Sequence, residues 1–62
     1  MEGRMTAYEI KARYGNKVFS KAVMMSPESE DEVVYEGALY RIIRDVVMWV
    51  YHIRRIGDAP VV

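Results

Sequence analysis

The sequence predicts an α+β protein in which an antiparallel β-hairpin is followed by one long α-helix, a ββα arrangement. Three observations indicate this fold. Two stretches of alternating apolar and polar residues flank Gly15-Asn16, a pair suited to the positive φ angles of a two-residue hairpin turn. Further along the chain, apolar residues recur at steps of four and three from Tyr35 to Ile56, which is the period of a helix. Ser26-Pro27, between the two halves, is typical of a helix start.

The hairpin is expected over residues 6–25, after a disordered start at residues 1–5. With Gly15-Asn16 as the loop, one face of the predicted sheet is polar and the other is apolar. The apolar face carries Tyr8, Ile10, Ala12, Tyr14, Phe19, Val23 and Met25. Lys21 is the exception on that face, so we expect it to reach the sheet margin or to contact a partner.

The helix is expected over residues 26–57, with a tail at 58–62. Its start can be placed in two ways: Ser26 is the N-cap with Pro27 at the first helical position, or Ser29 and Glu32 form a capping box. Gly57 is a natural C-cap, and a proline follows at position 60. A competing interpretation makes the Val-rich stretch DVVMWVYHI, residues 45–53, a strand.

Size and composition predict a homodimer. The chain has 62 residues, 52% of them hydrophobic, and no cysteine for a disulfide, so two copies would pool their half-cores in one sheet with paired helices. We therefore expect a single small domain, residues 1–62, that pairs through the apolar arc of its helix. The predicted interface consists of Leu39, Ile42, Ile43, Val46, Trp49, Val50 and Ile53.

Charge and composition restrict the class of function. Nine basic and nine acidic residues cancel, whereas a general nucleic-acid binder usually carries a basic excess. His52 stands alone among arginines, without a plausible Ser or Cys partner, and no glycine-rich phosphate loop occurs. The apolar run Val46–Ile53 is too short to span a bilayer. We expect a protein that is not an enzyme, binds no cofactor or metal, contacts no membrane and lies in a reducing cytoplasm.

An acidic stretch is the main candidate for a functional site. The sequence SPESEDEVVYEG, residues 26–37, contains five carboxylates. Acidic residues in a first helical turn are favoured by the helix dipole, by about 0.3 to 1 kcal/mol each. The same carboxylates, presented beside apolar groups, can alternatively imitate DNA phosphates. The candidate partner-binding residues are Glu28, Glu30, Asp31, Glu32, Tyr35 and Glu36.

The chain resembles the small uracil-DNA glycosylase inhibitors of short-tailed Bacillus phages over about two-thirds of its length. The matching features are YEI at 8–10, Lys17 with Phe19, EVVY at 32–35 and RIIR at 41–44. The resemblance implies a dimer, built from a hairpin and a helix, that occupies the DNA-binding groove of the host enzyme as a DNA mimic and blocks uracil excision. It further implies an infected bacterial cytoplasm as the location.

By the same resemblance, Glu32 and Tyr35 correspond to the family's polar contacts with the enzyme, and direct DNA binding is not expected. The sequence departs from the family at Asp31, where the family has an exposed Phe, and in its neutral net charge.

Two alternatives remain open. The first is a small dimeric DNA-binding module in which Lys11, Arg13 and Lys17 of the hairpin contact phosphates. The second is an unrelated, helix-mediated protein-interaction module. A DNA binder differs from a DNA mimic in having an affinity for DNA that falls steeply with salt.

Overall fold

The computed structural model describes residues 3–60, which form a helix packed on one face of a four-stranded antiparallel sheet. The elements are β1 (Gly3–Met5), α1 (Ala7–Met24), β2 (Glu30–Tyr35), β3 (Ala38–Asp45) and β4 (Val50–Asp58). Their order in the sheet is β1-β4-β3-β2, so β1 and β2 are the edge strands. The α+β class is retained, but the predicted ββα order is wrong. Residues 6–25 supply a helix where a hairpin was expected, and residues 26–57 supply strands where a helix was expected.

The start of α1 is set by a capping box at Thr6 and Glu9. The Thr6 hydroxyl oxygen accepts from the Glu9 N–H at 3.2 Å, and the Glu9 carboxylate accepts from the Thr6 N–H at 2.7 Å. These two bonds satisfy backbone donors that a helix start otherwise leaves without a partner. Downstream, every fourth residue is buried against the sheet, a step close to the 3.6-residue period of a helix. These residues are Ile10, Tyr14, Val18 and Ala22.

A kink at Gly15 divides α1. This glycine has φ 88° and ψ 177°. That conformation is far from the helical region, and residues with a Cβ atom rarely adopt it. Residues spaced by four advance about 40° too far around a straight helix at each step. The kink re-aims the second half of α1, so that Val18 and Ala22 face the same sheet as Ile10 and Tyr14. Gly15-Asn16 is therefore not the predicted hairpin turn.

A true two-residue hairpin turn joins β2 to β3 at Glu36-Gly37. Both residues have positive φ, 47° and 76°, and Tyr35 pairs with Ala38 across the turn. This is the pattern of a type I′ turn, whose twist matches that of the flanking strands. The competing strand interpretation of residues 45–53 is correct for Asp45, which ends β3, and for 50–53, which begin β4. Residues 46–49 form the β3–β4 loop.

The core lies between α1 and the sheet. Tyr14 packs edge-on against Tyr35 of β2 and Tyr40 of β3, with ring centroids 5.2 Å apart in both pairs. Ile42 and Ile53 are 0% and 1% exposed. Their assignment to a dimer interface is wrong, because both side chains are already covered by this chain's own core.

The connection between α1 and β2 is a turn, and not the predicted helix start. The Ser29 hydroxyl donates to the Ser26 carbonyl at 2.6 Å, while Glu32 lies within β2, so the proposed Ser29–Glu32 capping box does not form. Arg44 ties this segment to β3, since its guanidinium donates to the carbonyl of Met25 at the end of α1.

Both chain ends differ from expectation. Gly3–Met5 were expected to be disordered but form β1, paired with Tyr51–Ile53 of β4. Asp58 was assigned to the tail but is the last residue of β4. Positions 1 and 2 of the predicted disordered start, and positions 61 and 62 of the predicted tail, lie outside the described part of the chain.

Candidate protein-interaction site

The β3–β4 loop, residues 46–49, presents three apolar side chains to solvent. Val47, Met48 and Trp49 are 80%, 51% and 83% exposed. We call these three residues the apolar tip. A contiguous group of large exposed apolar side chains is uncommon on a monomeric protein and marks a candidate contact surface.

Two carboxylates hold the loop backbone beneath the apolar tip. Asp45 Oδ1 accepts from the N–H groups of Val47 and Met48, at 3.1 Å each. Glu28 Oε2 accepts from the N–H of Val46 at 2.9 Å. Three consecutive backbone donors are thereby satisfied by side chains of neighbouring segments, so the loop has a defined conformation although its own side chains point outward.

Asp45 also bonds to β4. Its Oδ2 lies 2.9 Å from His52 Nε2. The hydrogen bond from His52, followed by the one from the Met48 N–H, lowers the pKa of the Asp45 carboxyl from its ordinary value of 3.8. Since the folded pKa is depressed, the stabilisation by ionised Asp45 is present above the ordinary pKa and is lost as the pH falls through the folded pKa.

Trp49 has a strained backbone. Its φ is 58°, in the left-handed region that bulky residues rarely occupy. Such conformations cost on the order of 1 to 3 kcal/mol and persist where surrounding contacts impose them. The bonds to Asp45 and Glu28 fix the three residues that precede Trp49 in the loop, and the tryptophan side chain that follows them is exposed to solvent.

The second exposed feature is the side of the sheet that faces away from α1. Strand alternation places on it a mixture of apolar and charged side chains, which we call the open sheet face. Its members are Arg4, Glu30, Glu32, Val34, Leu39, Arg41, Ile43, Val50, His52 and Arg54. Asp45 lies on the same side, so the open sheet face is continuous with the base of the apolar tip.

The predicted partner-binding residues do not form one patch. Glu30 and Glu32 lie on the open sheet face, whereas Asp31 and Tyr35 point to the α1 side of β2. Of the other two, Glu28 clamps the β3–β4 loop and Glu36 lies in the hairpin turn. Glu32 and Tyr35 therefore point to opposite faces of the sheet.

Two of these acids form ion pairs within the chain. Lys21 Nζ of α1 lies 3.5 Å from Asp31, so the lysine that was the exception on the apolar face of the predicted hairpin forms an ion pair within the chain. Arg41 lies 3.6 Å from Glu32 across the β2–β3 pair. Both pairs are about half exposed and stabilise the fold only slightly. Tyr35 is half-buried, and burial, followed by the nearby carboxylate of Glu36, raises the pKa of its hydroxyl.

The predicted dimer residues are also divided among different environments. Besides the buried Ile42 and Ile53, the set contains three open-face residues and two loop residues. Leu39, Ile43 and Val50 lie on the open sheet face, and Val46 and Trp49 lie in the β3–β4 loop. The predicted helical seam is wrong because these residues belong to strands and a loop.

Sequence reasoning missed Asp45, Val47 and Met48 as parts of a site. The available signal was an aspartate directly before the apolar run VVMW, since aspartate side chains commonly accept from backbone N–H groups two and three residues later.

The basic residues of the alternative DNA-binding hypothesis lie on α1. Lys11 Nζ is 5.2 Å from the Phe19 ring centroid, and the Arg13 guanidinium is 5.6 Å from that of Tyr14. Lys17 is also on α1. The hypothesis in its hairpin form is wrong, because these side chains do not share the face of a sheet.

Residues 3–60 contain no group of three or more His, Asp or Glu side chains placed to hold a metal ion. No helix in this part of the chain combines the length and apolarity needed to cross a membrane. The fold and the site define a small α+β protein with an exposed apolar loop and an uncovered sheet face. Comparison of the chain with protein-family models, curated proteins and solved structures found no match.

Proposed function

We propose that the chain is a non-enzymatic protein-binding module whose apolar tip inserts into an apolar pocket of a partner protein. The observation that carries this proposal is Trp49, which is 83% exposed in a strained backbone conformation on a loop held by Asp45 and Glu28. Exposed tryptophan is enriched among the residues that dominate binding energy at protein interfaces.

The backbone of the β3–β4 loop is preorganised for binding. A tryptophan buries about 150 to 250 Å² of surface on contact. At about 25 cal/mol per Å², that burial gives a gross gain of roughly 4 to 6 kcal/mol before the costs of association. Because the N–H groups of residues 46–48 are already bonded, little backbone ordering is needed when the partner binds.

The charges around the loop favour a protein partner over a lipid or nucleic-acid surface. Glu28 and Asp45 lie at the base of the apolar tip. Two carboxylates at this position repel anionic phospholipid headgroups and nucleic-acid phosphates. A pocket with an apolar floor and a neutral or basic rim fits the loop better.

The test places a photo-crosslinking residue at position 48 and, as a control, at position 8 in cells that produce the protein. Tyr8 lies on α1 and is 80% exposed, so it matches the tip in accessibility but not in location. A partner crosslinked from position 48 and not from position 8 is then purified and its affinity measured. We expect Trp49→Ala to weaken the purified complex by at least about tenfold and Tyr8→Ala to leave it unchanged.

Trp49 is the one tryptophan of the chain, so its emission reports directly on the tip. Binding should shift that emission to shorter wavelength, as expected for transfer of the indole from water to an apolar pocket. Equal loss of affinity in both alanine variants, or unchanged emission in the complex, contradicts the proposal.

A second candidate function is inhibition of uracil-DNA glycosylase by DNA mimicry, as the sequence resemblance implies. The observation that favours it is the position of Glu30, Asp31 and Glu32 on β2, an edge strand whose outer side is available to another protein. The support is limited to this edge, because Glu32 and Tyr35 point to opposite faces of the sheet.

A uracil-excision assay tests this candidate. If the edge strand imitates phosphates, the parent protein slows excision, and the double change Glu30→Gln and Glu32→Gln weakens the inhibition. Asp58→Asn is the matched control, since it removes a carboxylate from an 89% exposed side chain at the end of β4. Absence of inhibition by the parent, at protein concentrations well above that of the enzyme, excludes the candidate.

A further inference from the structure

The open sheet face has a gradient of charge across its strands. Glu30 and Glu32 lie at the β2 side, and Arg54 lies on β4. Between them, β3 contributes the apolar residues Leu39 and Ile43, with Arg41 between these two. One half of the surface is thus complementary in charge to the other half, while its centre contains apolar groups.

The charges are not balanced within one chain. Arg41 and Arg54 stand directly opposite each other in the β3–β4 pair, an arrangement that is unfavourable for like charges. Glu32 compensates Arg41 at 3.6 Å. Among residues 3–60, Arg54 forms no ion pair. A carboxylate supplied from outside would relieve this repulsion.

We infer that the open sheet face is the interface of a homodimer in which a second copy is related by a twofold axis running along β3. This rotation lays β2 of each copy over β4 of the other. The rotation keeps each residue at its own level along the strands, so Glu32 approaches Arg54 of the second copy and Glu30 approaches His52. Leu39 and Ile43 each meet their own counterparts near the axis. Arg41 lies between them, with its guanidinium directed towards β2 by the ion pair with Glu32. An axis perpendicular to the strands would instead lay acid over acid, so the charge gradient selects one arrangement.

A second copy fits this surface better than a polyanion does, because the acidic half of the face repels phosphates. The chain's zero net charge also removes any long-range repulsion between copies. This interface differs from the helical seam that the sequence predicted and uses a different surface from the apolar tip.

The size of the face sets the strength of the dimer. Four strands about 4.8 Å apart and about six residues long span on the order of 400 Å². That is about half of the area each partner contributes to a standard interface. We therefore expect a reversible dimer with a dissociation constant in the micromolar range or weaker.

The test uses sedimentation equilibrium on charge-reversed variants. The parent should show a mass that rises with concentration towards that of two chains. Glu32→Lys alone, and Arg54→Glu alone, should each raise the dissociation constant at least about tenfold, because each creates two repulsive contacts per homodimer. An equimolar mixture of these two variants should associate nearly as well as the parent, because both contacts of the mixed dimer are again attractive.

Two further variants distinguish this interface from association through α1 or through the apolar tip. Lys17→Glu reverses a charge on exposed α1 and should leave the dimer unchanged. Trp49→Ala should also leave it unchanged, so the result is independent of the proposed function. The inference is overturned if the parent stays monomeric up to millimolar concentration, if the mixed variants do not associate, or if Lys17→Glu dissociates the dimer as strongly as Arg54→Glu.

Discussion

Replacement of Gly15 by alanine tests the kink on which the packing of α1 depends. A Cβ atom at this position would meet no heavy atom within 4 Å, so any cost arises from the backbone and not from a clash. The φ of 88° and ψ of 177° lie in a region accessible essentially to glycine. Forcing another residue into it costs about 1 to 3 kcal/mol. Alanine also restricts the unfolded chain, which returns about 0.4 to 1 kcal/mol. We expect a net destabilisation of roughly 1 to 2 kcal/mol.

Gly57→Ala is the matched control. Gly57 also has open space around its Cβ position, but its φ is not positive, so the same chemical change lacks the backbone cost. In urea unfolding followed by circular dichroism, a slope of about 1 kcal/mol per molar is expected for so small a protein. Gly15→Ala should therefore lower the midpoint by about 1 to 2 M, whereas Gly57→Ala should not lower it. Equal midpoints in the two variants would refute the kinked helix.

Thr6→Ala should destabilise the fold by about 1 kcal/mol through loss of the capping box, whereas Thr6→Ser, which keeps the hydroxyl, should not; urea midpoints decide this. Ile42→Ala should lower the free energy of unfolding by about 2 to 5 kcal/mol, because it leaves a cavity in the core. In the same assay, Val34→Ala on the open sheet face should change it little. On acidification below about pH 4, protonation of Asp45 should release the loop and change the Trp49 emission, whereas Asp45→Asn should lack this acid transition.

Each of these predictions has a distinct contrary result. Equal stability of the alanine and serine variants at position 6 would mean that α1 does not begin at a capping box. A stable Ile42→Ala protein that merely fails to dimerise would mean that Ile42 lies at an interface and not in the core. An acid transition that persists in Asp45→Asn would assign the emission change to another carboxylate.

The helix α1 was missed because its apolar spacing is compatible with two kinds of secondary structure. A step of four residues, as from Ile10 to Tyr14 to Val18, satisfies both the alternation of a strand and, nearly, the period of a helix. Gly15-Asn16 then favoured a hairpin turn, although the glycine kinks a helix. The sequence also contains two capping-box patterns, Thr6–Glu9 and Ser29–Glu32, and local spacing alone does not distinguish the one that forms.

The strands were missed because turns change the phase of their alternation. Within a strand, core-facing residues recur at a step of two, as Val33 and Tyr35 do in β2 and Tyr51 and Ile53 do in β4. The turns between strands interrupt this step, so the apolar residues from Tyr35 to Ile56 are also spaced by three and four. The abundance of β-branched residues pointed to strands, as the competing interpretation of residues 45–53 recognised. The apolar character of Trp49 was visible, but its place in an exposed loop depends on Asp45 and Glu28, and the Glu28 contact joins segments distant in sequence.

The pairing of β1 with β4 has a consequence for how the chain folds. β2, β3 and β4 are joined by short turns, so they can form a three-stranded meander from contacts between near neighbours. Gly3, in contrast, pairs with Ile53, about fifty residues later, and closing a loop of that length costs roughly 3 kcal/mol of chain entropy. We expect the meander to assemble first and β1 to join last. Since β1 has three residues and hydrogen-bonds to a single neighbouring strand, it should also be the first strand to open, and a change at the N-terminus would act on the closing step without disturbing the meander.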